Sequence, residues 1–455
     1  MKRSTNLTRP RDMNRPPIRS APCALSRILT ALCASARCEG KEPGIAVALG
    51  LRRRTGRRLV PVAFSVLSMA ATASMAAERE GRPRLAAAQS AAAAHLTPRA
   101  VAERLAAEFV RRDRIPADYT NDLTLEALLL LDDVTGERKY WAFVQKILNE
   151  RGLSWERFPA YQSQPFNCIT FALLERTRDP RYFGPFVAEM NKYRHGVPRA
   201  FDGAVSHYGD PHMGRILIDQ LQDYSARMAR AGWLSGDSSY FDEAVAQYGL
   251  FRTALRDPKT GLWAHGRGWF DNPRYVTAIA WGRGQGWLLR GFVETLAYLP
   301  ADSDWHRQMQ EWLRELAEAL LTFQQADGMW RQVVDRPDSF PETSATALCV
   351  HYFARAIRQG DLPEQPYRQA AVCAYEALLA NSISADGKVY LTCMGTGPQR
   401  SLEDYLRRES PINDQHGIAT CLLACSGRML LDGKARIIEP LPQQAAQNSP
   451  GGPTR

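Results

Sequence analysis

From residue 97 onward, apolar positions recur every three or four residues in one segment after another, the period of an amphipathic helix. The first segment, LTPRAVAERLAAEFVRR, opens on Thr97 as a cap with Pro98 in the first turn. The pattern predicts twelve helices, over 97–113, 120–134, 137–150, 164–177, 180–192, 213–232, 236–254, 283–298, 302–324, 342–358, 363–380 and 413–429. Their junctions are alike. A helix ends, a short polar turn carries Gly or Asp, and the next helix opens on an aromatic, as in DVTGERKYWAFV, WLSGDSSYFDEAV and YLPADSDWHRQM. Such repetition reads as helical hairpins laid side by side. Six hairpins closed on themselves form an all-α, (α/α)6 barrel with six inner and six outer helices. An open solenoid is the other all-helical arrangement, and the long aromatic-rich connections favour closure around a pocket. Three short β-prone pieces, GMWRQVV, KVYLTC and ARIIEPL, are expected as loops or hairpins at the mouth.

Upstream of residue 97 the pattern changes. LRRRTGRR (51–58) is basic, LVPVAFSVLSMAATA (59–73) is apolar but too short to span a bilayer, and small residues follow. This order reads as a signal peptide cut near Ala76 or Ala77, so residues 1–77 are expected to be a leader and the protein to be secreted or periplasmic. Residues 78–96 read as a flexible linker, 97–438 as the barrel and 439–455 as a disordered tail. The formal charge of +10 belongs to the leader. Residues 1–77 carry 14 of the 58 Lys and Arg but 3 of the 48 Asp and Glu, leaving 44 basic and 45 acidic residues beyond them. The balance gives no support for nucleic acid or membrane as a partner. Six cysteines follow the leader, in no metal-ligand spacing and with no CxxC pair; several lie in helical apolar patterns and read as small buried residues, and export permits a disulfide without the sequence choosing a pair. The absence of Walker, Rossmann, HExxH and GxSxG patterns sets aside nucleotide, zinc and serine-hydrolase chemistry, so no cofactor is expected.

The polar chemistry concentrates in HGRGWFDNPRYVTAIAWGRGQGW, residues 265–287. It interleaves Trp269, Trp281 and Trp287 with His265, Arg267, Arg283 and Gln285, and glycines break it before a helix begins near Arg283. Aromatic faces beside fixed donors suit sugars, and Arg suits carboxylates; a packed Gly–Trp corner is the plainer reading. Carboxylates supply the candidate acid. In RILIDQLQDYSARMA (215–229), read as helix, Asp219 is crowded by Ile216, Leu217, Ile218 and Leu221, and burial raises a carboxyl pKa towards what a general acid needs. Asp223 follows one turn later. Glu342, in FPETSATAL, and Asn413, Asp414 and His416, in SPINDQHGIATCLLA, open helices, where they serve as caps or as the rim of a pocket.

WGRGQGW resembles the W-x-R-G-N-G-W motif of the unsaturated glucuronyl and rhamnogalacturonyl hydrolases, glycoside hydrolase families 88 and 105. DYTNDLTLEALLLL, ILIDQLQ, TGLWAHGRGW, ETSATAL and NDQHGIATCLLA are similar to further family motifs in the same order, over roughly residues 115–430. The resemblance implies an (α/α)6 barrel without a metal, acting on oligosaccharides that end in a 4,5-unsaturated uronic acid. In that chemistry an aspartic acid protonates the ring double bond, water adds at C5, and the hemiketal opens. It implies Asp219 as the acid/base, with Arg283, Trp287, Trp281, Gln285, Trp269, His265 and Tyr119 lining the sugar site. Three positions depart from the pattern: Gln285 replaces an Asn, Leu217 replaces a Trp, and no carboxylate stands at Gln162, Ser163 or Gln164 where the family has a second Asp. The last departure keeps alternatives open. One is a hydrolase of saturated uronides whose second carboxylate would be Asp223 or Glu342. Another is an inactive carbohydrate-binding barrel, and a third an epimerase using His207 and His212.

Overall fold

In a computed structural model, the described residues are 96–112, 114–151, 168–207, 214–433 and 441. The leader, nearly all of the linker and tail, the 162–164 segment, His212 and most of ARIIEPL lie outside them. Among the described residues, twelve helices form close to where the periodicity places them: α1 Pro98–Val110, α2 Tyr119–Thr135, α3 Trp141–Glu150, α4 Cys168–Thr177, α5 Phe183–Gly196, α6 Leu221–Ser235, α7 Ser239–Leu255, α8 Gly282–Leu296, α9 Asp304–Phe323, α10 Thr343–Gln359, α11 Tyr367–Asn381 and α13 Gln415–Leu431; a short α12, Leu402–Leu406, is not among the expected helices. Thr97 caps α1, its side chain accepting from Ala100 N, and Asp118 caps α2 through Thr120 N and Asn121 N. No helix among the described residues is long and apolar enough to cross a membrane.

Packing sorts these helices into two rings. α2 lies on α13, α13 on α10, α10 on α8 and α8 on α6, while α4 lies on α2. Arg230 of α6 joins Glu175 of α4 at 2.7 Å and so links the remaining pair. Outside these six, α1, α3, α5, α7, α9 and α11 cover α13, α2, α6, α6, α8 and α10. The fold is thus an all-α barrel of the (α/α)6 type. Inner helices read as apolar nearly all round because they bury both faces: every residue of α8 is buried. Where they meet on the axis, they carry charge rather than hydrocarbon. Arg230 also binds Glu294 at 2.6 Å, Arg290 binds Glu126 at 2.9 Å, and Arg355 binds Glu294. A buried ion is tolerated only with such partners.

The main departure from the periodicity is at residues 213–232. Instead of starting a helix, Ile216–Leu217 form a strand, β1, antiparallel to β2, Gly266–Arg267, which pairs in turn with β3, Val276–Thr277. Ile218–Gln220 follow as one 3-10 turn before α6 begins. Ile218 N donates to His265 O at 3.1 Å, which fixes the turn against the next connection. The β-branched Ile216 and Ile218 suit this pairing, and a helical period cannot reveal it because the partner is 50 residues away in sequence. GMWRQVV and KVYLTC run as extended loops with isolated bridges, Trp281 to Val333 and Ile383 to Val389. The cysteine reading holds at Cys349, Cys393, Cys421 and Cys425, which are buried and free, while free Cys373 is half-buried.

Candidate active site

The polar residues singled out above gather at one end of the barrel, where inner helices begin. Tyr119 opens α2, Arg283 lies in the first turn of α8, Glu342 caps α10 with Ser344 in its first turn, and Asp414 caps α13 with His416 in its first turn. Asp219 sits just ahead of α6. Helix N-termini present unpaired N–H groups and partial positive charge, so this mouth favours an anionic ligand before any side chain is counted.

β1 and β2 bring Asp219 beside His265. Asp219 is 5% exposed, and its Oδ2 is buried with no hydrogen-bond partner among the described residues. Burial pushes its carboxyl up to about 7, against the opposing pull of the Arg283 guanidinium. The acid is therefore held near half-protonation at neutral pH by apolar surroundings and one nearby cation. His265 stacks on Trp281, with ring centroids 4.3 Å apart, and its Nδ1 is 2.6 Å from the Tyr405 hydroxyl. Gln399 N–H donates to the same hydroxyl oxygen at 3.2 Å. The phenolic hydrogen can then go to Nδ1, which leaves Nε2 carrying the ring proton as a donor. Burial, and then the Arg283 charge, hold His265 well below the usual imidazole range, so the ring is neutral. His265 Nε2, Trp281 Nε1 and Trp269 Nε1 are also buried without partners among the described residues. Buried polar atoms are rarely left so in groups, and together they offer a polyhydroxylated ligand several bonds.

Arg283 is held by several groups of the protein. Its ring neighbour is Trp281, 4.6 Å from guanidinium carbon to centroid. Nη1 donates to Cys393 O at 2.6 Å and Ser344 Oγ at 3.1 Å, and Nη2 donates to Met394 O at 3.0 Å. The forked end thus holds the 393–394 loop, while Nε is buried without a partner among the described residues. Gln285 is also committed to the protein. Its Oε1 accepts from Trp263 N at 3.0 Å and its Nε2 donates to Trp263 O at 2.6 Å. It braces the connection leading to His265, with no amide group facing a sugar. Trp287 is 3% exposed and belongs to the core. Trp269 lies farther out, half-buried, its ring 5.6 Å from His207 and 5.1 Å from the Arg215 guanidinium.

The glycines of this motif serve close packing. A Cβ on Gly284 would stand 2.9 Å from Ile218 Cγ2, and one on Gly282 would stand 2.5 Å from Arg331 O. The missing Cβ of Gly284 lets α8 approach the turn that carries Asp219, and that of Gly282 lets it approach the backbone at Arg331.

Tyr119 hydrogen-bonds His416 Nε2, and His416 Nδ1 is 2.7 Å from Asp414 Oδ1. Asp414 also caps α13 through His416 N at 3.0 Å, so the cap and the wall of the site are the same residue. Glu342 caps α10 and also ties in its surroundings: its oxygens accept from Ser344 Oγ at 2.8 Å, Ala345 N at 2.6 Å and Cys393 N at 2.9 Å, and Oε1 lies 3.8 Å from Arg283 Nη1. Asp223 Oδ1 takes Arg227 Nε and Nη2 at 2.8 and 2.6 Å. Glu342 is thus fully engaged, whereas Asp223 keeps a buried Oδ2 without a partner among the described residues, and burial pushes its carboxyl up to about 6 against the pull of Arg227. Tyr405, the buried partner of His265, was not legible in the sequence, because it comes from a five-residue helix 140 positions away with no motif around it.

Comparison with known proteins bears on the family and the fold. The family model described as Glycosyl Hydrolase Family 88 matches residues 99–430. The unsaturated rhamnogalacturonyl hydrolase YesR of Bacillus subtilis is 27% identical over 227 residues, 48% of this chain and 62% of that protein. This chain thus spans less than two thirds of that relative's length. A family 105 glycoside hydrolase from C. acetobutylicum superposes with a TM-score of 0.62 at 22% identity, covering 72% of this chain and 98% of that one. A possible family 105 member from Salmonella enterica serovar Paratyphi A gives 0.61 at 22%, covering 73% and 93%. At these identities the two structures speak for the fold alone. The matched span, the barrel and the order of the motifs together make the chain a member of glycosyl hydrolase family 88, within the superfamily that families 88 and 105 form.

Proposed function

We propose that this protein is a glycoside hydrolase that releases a 4,5-unsaturated uronic acid from the non-reducing end of lyase-generated oligosaccharides. The observation that carries the reading is Asp219, a carboxyl held by burial at about 7 beside a neutral His265. A general acid works best with a pKa near the working pH. The protonated carboxyl of Asp219 gives its proton to C4 of the ring double bond, leaving an oxocarbenium at C5. Water adds at C5 and returns a proton to the Asp219 carboxylate. The hemiketal then opens to a ketone, and the hemiacetal left at C1 expels the hydroxyl of the linked sugar. One carboxyl suffices for this sequence. Hydrolysis of a saturated uronide needs two; Glu342 is engaged by Ser344, Ala345 and Cys393, and Asp223 is tied through Oδ1 to Arg227. The helix N-termini at the mouth favour the substrate carboxylate, and His265 Nε2 and Trp281 Nε1 are placed as donors to it or to ring hydroxyls. Family membership supports the reading, and the B. subtilis relative is an unsaturated rhamnogalacturonyl hydrolase. We also propose that the protein acts outside the cytoplasm, on the strength of the apolar run at 59–73.

The test is the ultraviolet absorbance of the unsaturated uronate in lyase digests of several uronic-acid polysaccharides, with Asp219→Asn alongside. The expected result is loss of absorbance with the parent protein and none with the variant. A digest that is bound while its absorbance stays constant would instead identify a carbohydrate-binding barrel.

A further inference from the structure

At the mouth, three residues that proton delivery to C4 does not use form one line of hydrogen bonds across two inner helices. Tyr119 opens α2, while Asp414 caps α13 and His416 lies in its first turn. The Tyr119 hydroxyl is bonded to His416 Nε2, and His416 Nδ1 lies 2.7 Å from Asp414 Oδ1. The rings of Tyr119 and His416 meet at 5.4 Å between centroids, tilted by 58°. His416 is 5% exposed, and Tyr119 is half-buried. The line stands beside the acid. The Arg283 charge acts on both Asp219 and His416, and Tyr119 and Asp414 act on Arg283 in return, so one guanidinium neighbours both.

Each hydrogen along this line has a single place. Burial pushes Asp414 up, yet the bonds from His416 outweigh it and hold the carboxyl below its ordinary value, so it is a carboxylate and can only accept. Burial, and then the Arg283 charge, lower His416 to about 4, so at neutral pH its ring is neutral and carries one N–H. That hydrogen sits on Nδ1, facing the carboxylate, which leaves Nε2 bare. The Tyr119 hydroxyl therefore donates to Nε2. A phenol oxygen that has given its hydrogen away offers only lone pairs to anything else. Tyr119 is thus made an acceptor by a ring 297 positions later in the sequence.

We propose that Tyr119, oriented by His416 and Asp414, holds the water that adds at C5 and selects it over alcohols, the hydroxyls of a second sugar included. The inference rests on the Asp219 reading for the cation at C5. Water forms the new C5–O bond and passes one hydrogen, as a proton, to the Asp219 carboxylate. It keeps the other, which it donates to the Tyr119 oxygen. An alcohol has a single hydroxyl hydrogen, and that one must go to Asp219 if the adduct is to be neutral. Its alkyl group then faces the Tyr119 oxygen, and one hydrogen bond is missing. The asymmetry favours hydrolysis over transfer to another sugar. His416 and Asp414 act through Tyr119 and are positioning residues.

The test is the partition of the C5 cation between water and methanol. Capture by water loses the ultraviolet absorbance and releases the linked sugar. Capture by methanol gives a methyl ketal that cannot open, so absorbance is lost while the linked sugar stays attached. Full-length protein turns over an unsaturated disaccharide in a water–methanol mixture of fixed composition, and mass spectrometry gives the ratio of ketal to hydrolysed product. Both products come from one cation, so a variant that only folds or binds poorly slows both and leaves the ratio alone. Tyr119→Phe should raise the ratio about fivefold to tenfold over the parent, the worth of one net hydrogen bond. His416→Phe keeps a ring but removes the acceptor, so the phenol hydrogen turns towards the site; the ratio should rise about threefold or more. A parental ratio in either variant overturns the proposal. So does loss of all turnover in Tyr119→Phe with a parental melt, which would place Tyr119 in the proton transfer. Absorbance loss by the parent with unchanged ratios removes the role of Tyr119 and leaves the Asp219 reading standing; a parent that loses no absorbance removes both.

Discussion

Replacing Asp219 by Asn tests the chemistry and the physics of the site at once. The carboxyl is 5% exposed and is raised by burial, against Arg283, to about 7 from the ordinary 3.8. The native state therefore binds a proton more tightly than the unfolded chain does. That contribution to stability is fully present below the unfolded pKa, declines as pH rises from about 4 to about 7, and is gone above that range. The interval corresponds to about 4 kcal/mol at most. Asn keeps the shape of the acid and never ionises, so the stability of the variant relative to the parent should climb by up to about 4 kcal/mol between pH 4 and pH 7 and then level off. Denaturant melts of both proteins over that range measure it directly. In activity, the variant should lose about 10²–10⁴-fold in kcat, the usual worth of a positioned general acid. The parent's kcat should fall on the alkaline side with a single ionisation near neutrality, as the acid loses its proton. A stability difference that does not change with pH would mean that Asp219 ionises like an exposed carboxyl, and the general-acid argument from burial would be refuted.

Three further substitutions probe the supports of the site. Gln285→Ala strips partners from both Trp263 backbone groups and should cost about 3 kcal/mol in a denaturant melt; a KM effect with unchanged stability would show that Gln285 instead meets substrate. Tyr405→Phe removes the hydroxyl that lies 2.6 Å from His265 Nδ1. It should lower kcat/KM about fivefold to tenfold without moving the alkaline limb assigned to Asp219, and a displaced limb would place Tyr405 in the proton transfer. Gly284→Ala puts a methyl 2.9 Å from Ile218 Cγ2 and 3.1 Å from Trp281 Cε3. It should lower kcat about tenfold or more by moving the turn that carries Asp219; a variant with parental kcat would show that the turn tolerates the shift.

Sequence by itself determined the helices, their pairing into hairpins and the barrel they close into, because each depends on local period and on short polar junctions. It also brought forward Asp219, His265, Trp281 and Arg283, since an acid in an apolar run and a glycine-broken aromatic stretch are visible without contacts. Tertiary structure alone decided what those groups do to one another. The strand at Ile216–Leu217 exists only because Gly266–Arg267 lies opposite, and that pairing turns an expected helical Asp219 into one held on a tight turn beside His265. Gln285 and Arg283 look alike in the sequence as sugar-binding donors. Their hydrogen-bonding capacity is taken largely by backbone groups of Trp263, Cys393 and Met394, partners that composition and spacing cannot reveal. Tyr405 has no local signature, since its meaning lies in the 2.6 Å to a ring 140 residues earlier. The period of a helix is written within a few turns of chain, whereas a buried hydrogen bond is chosen by whichever distant atom folding brings within reach.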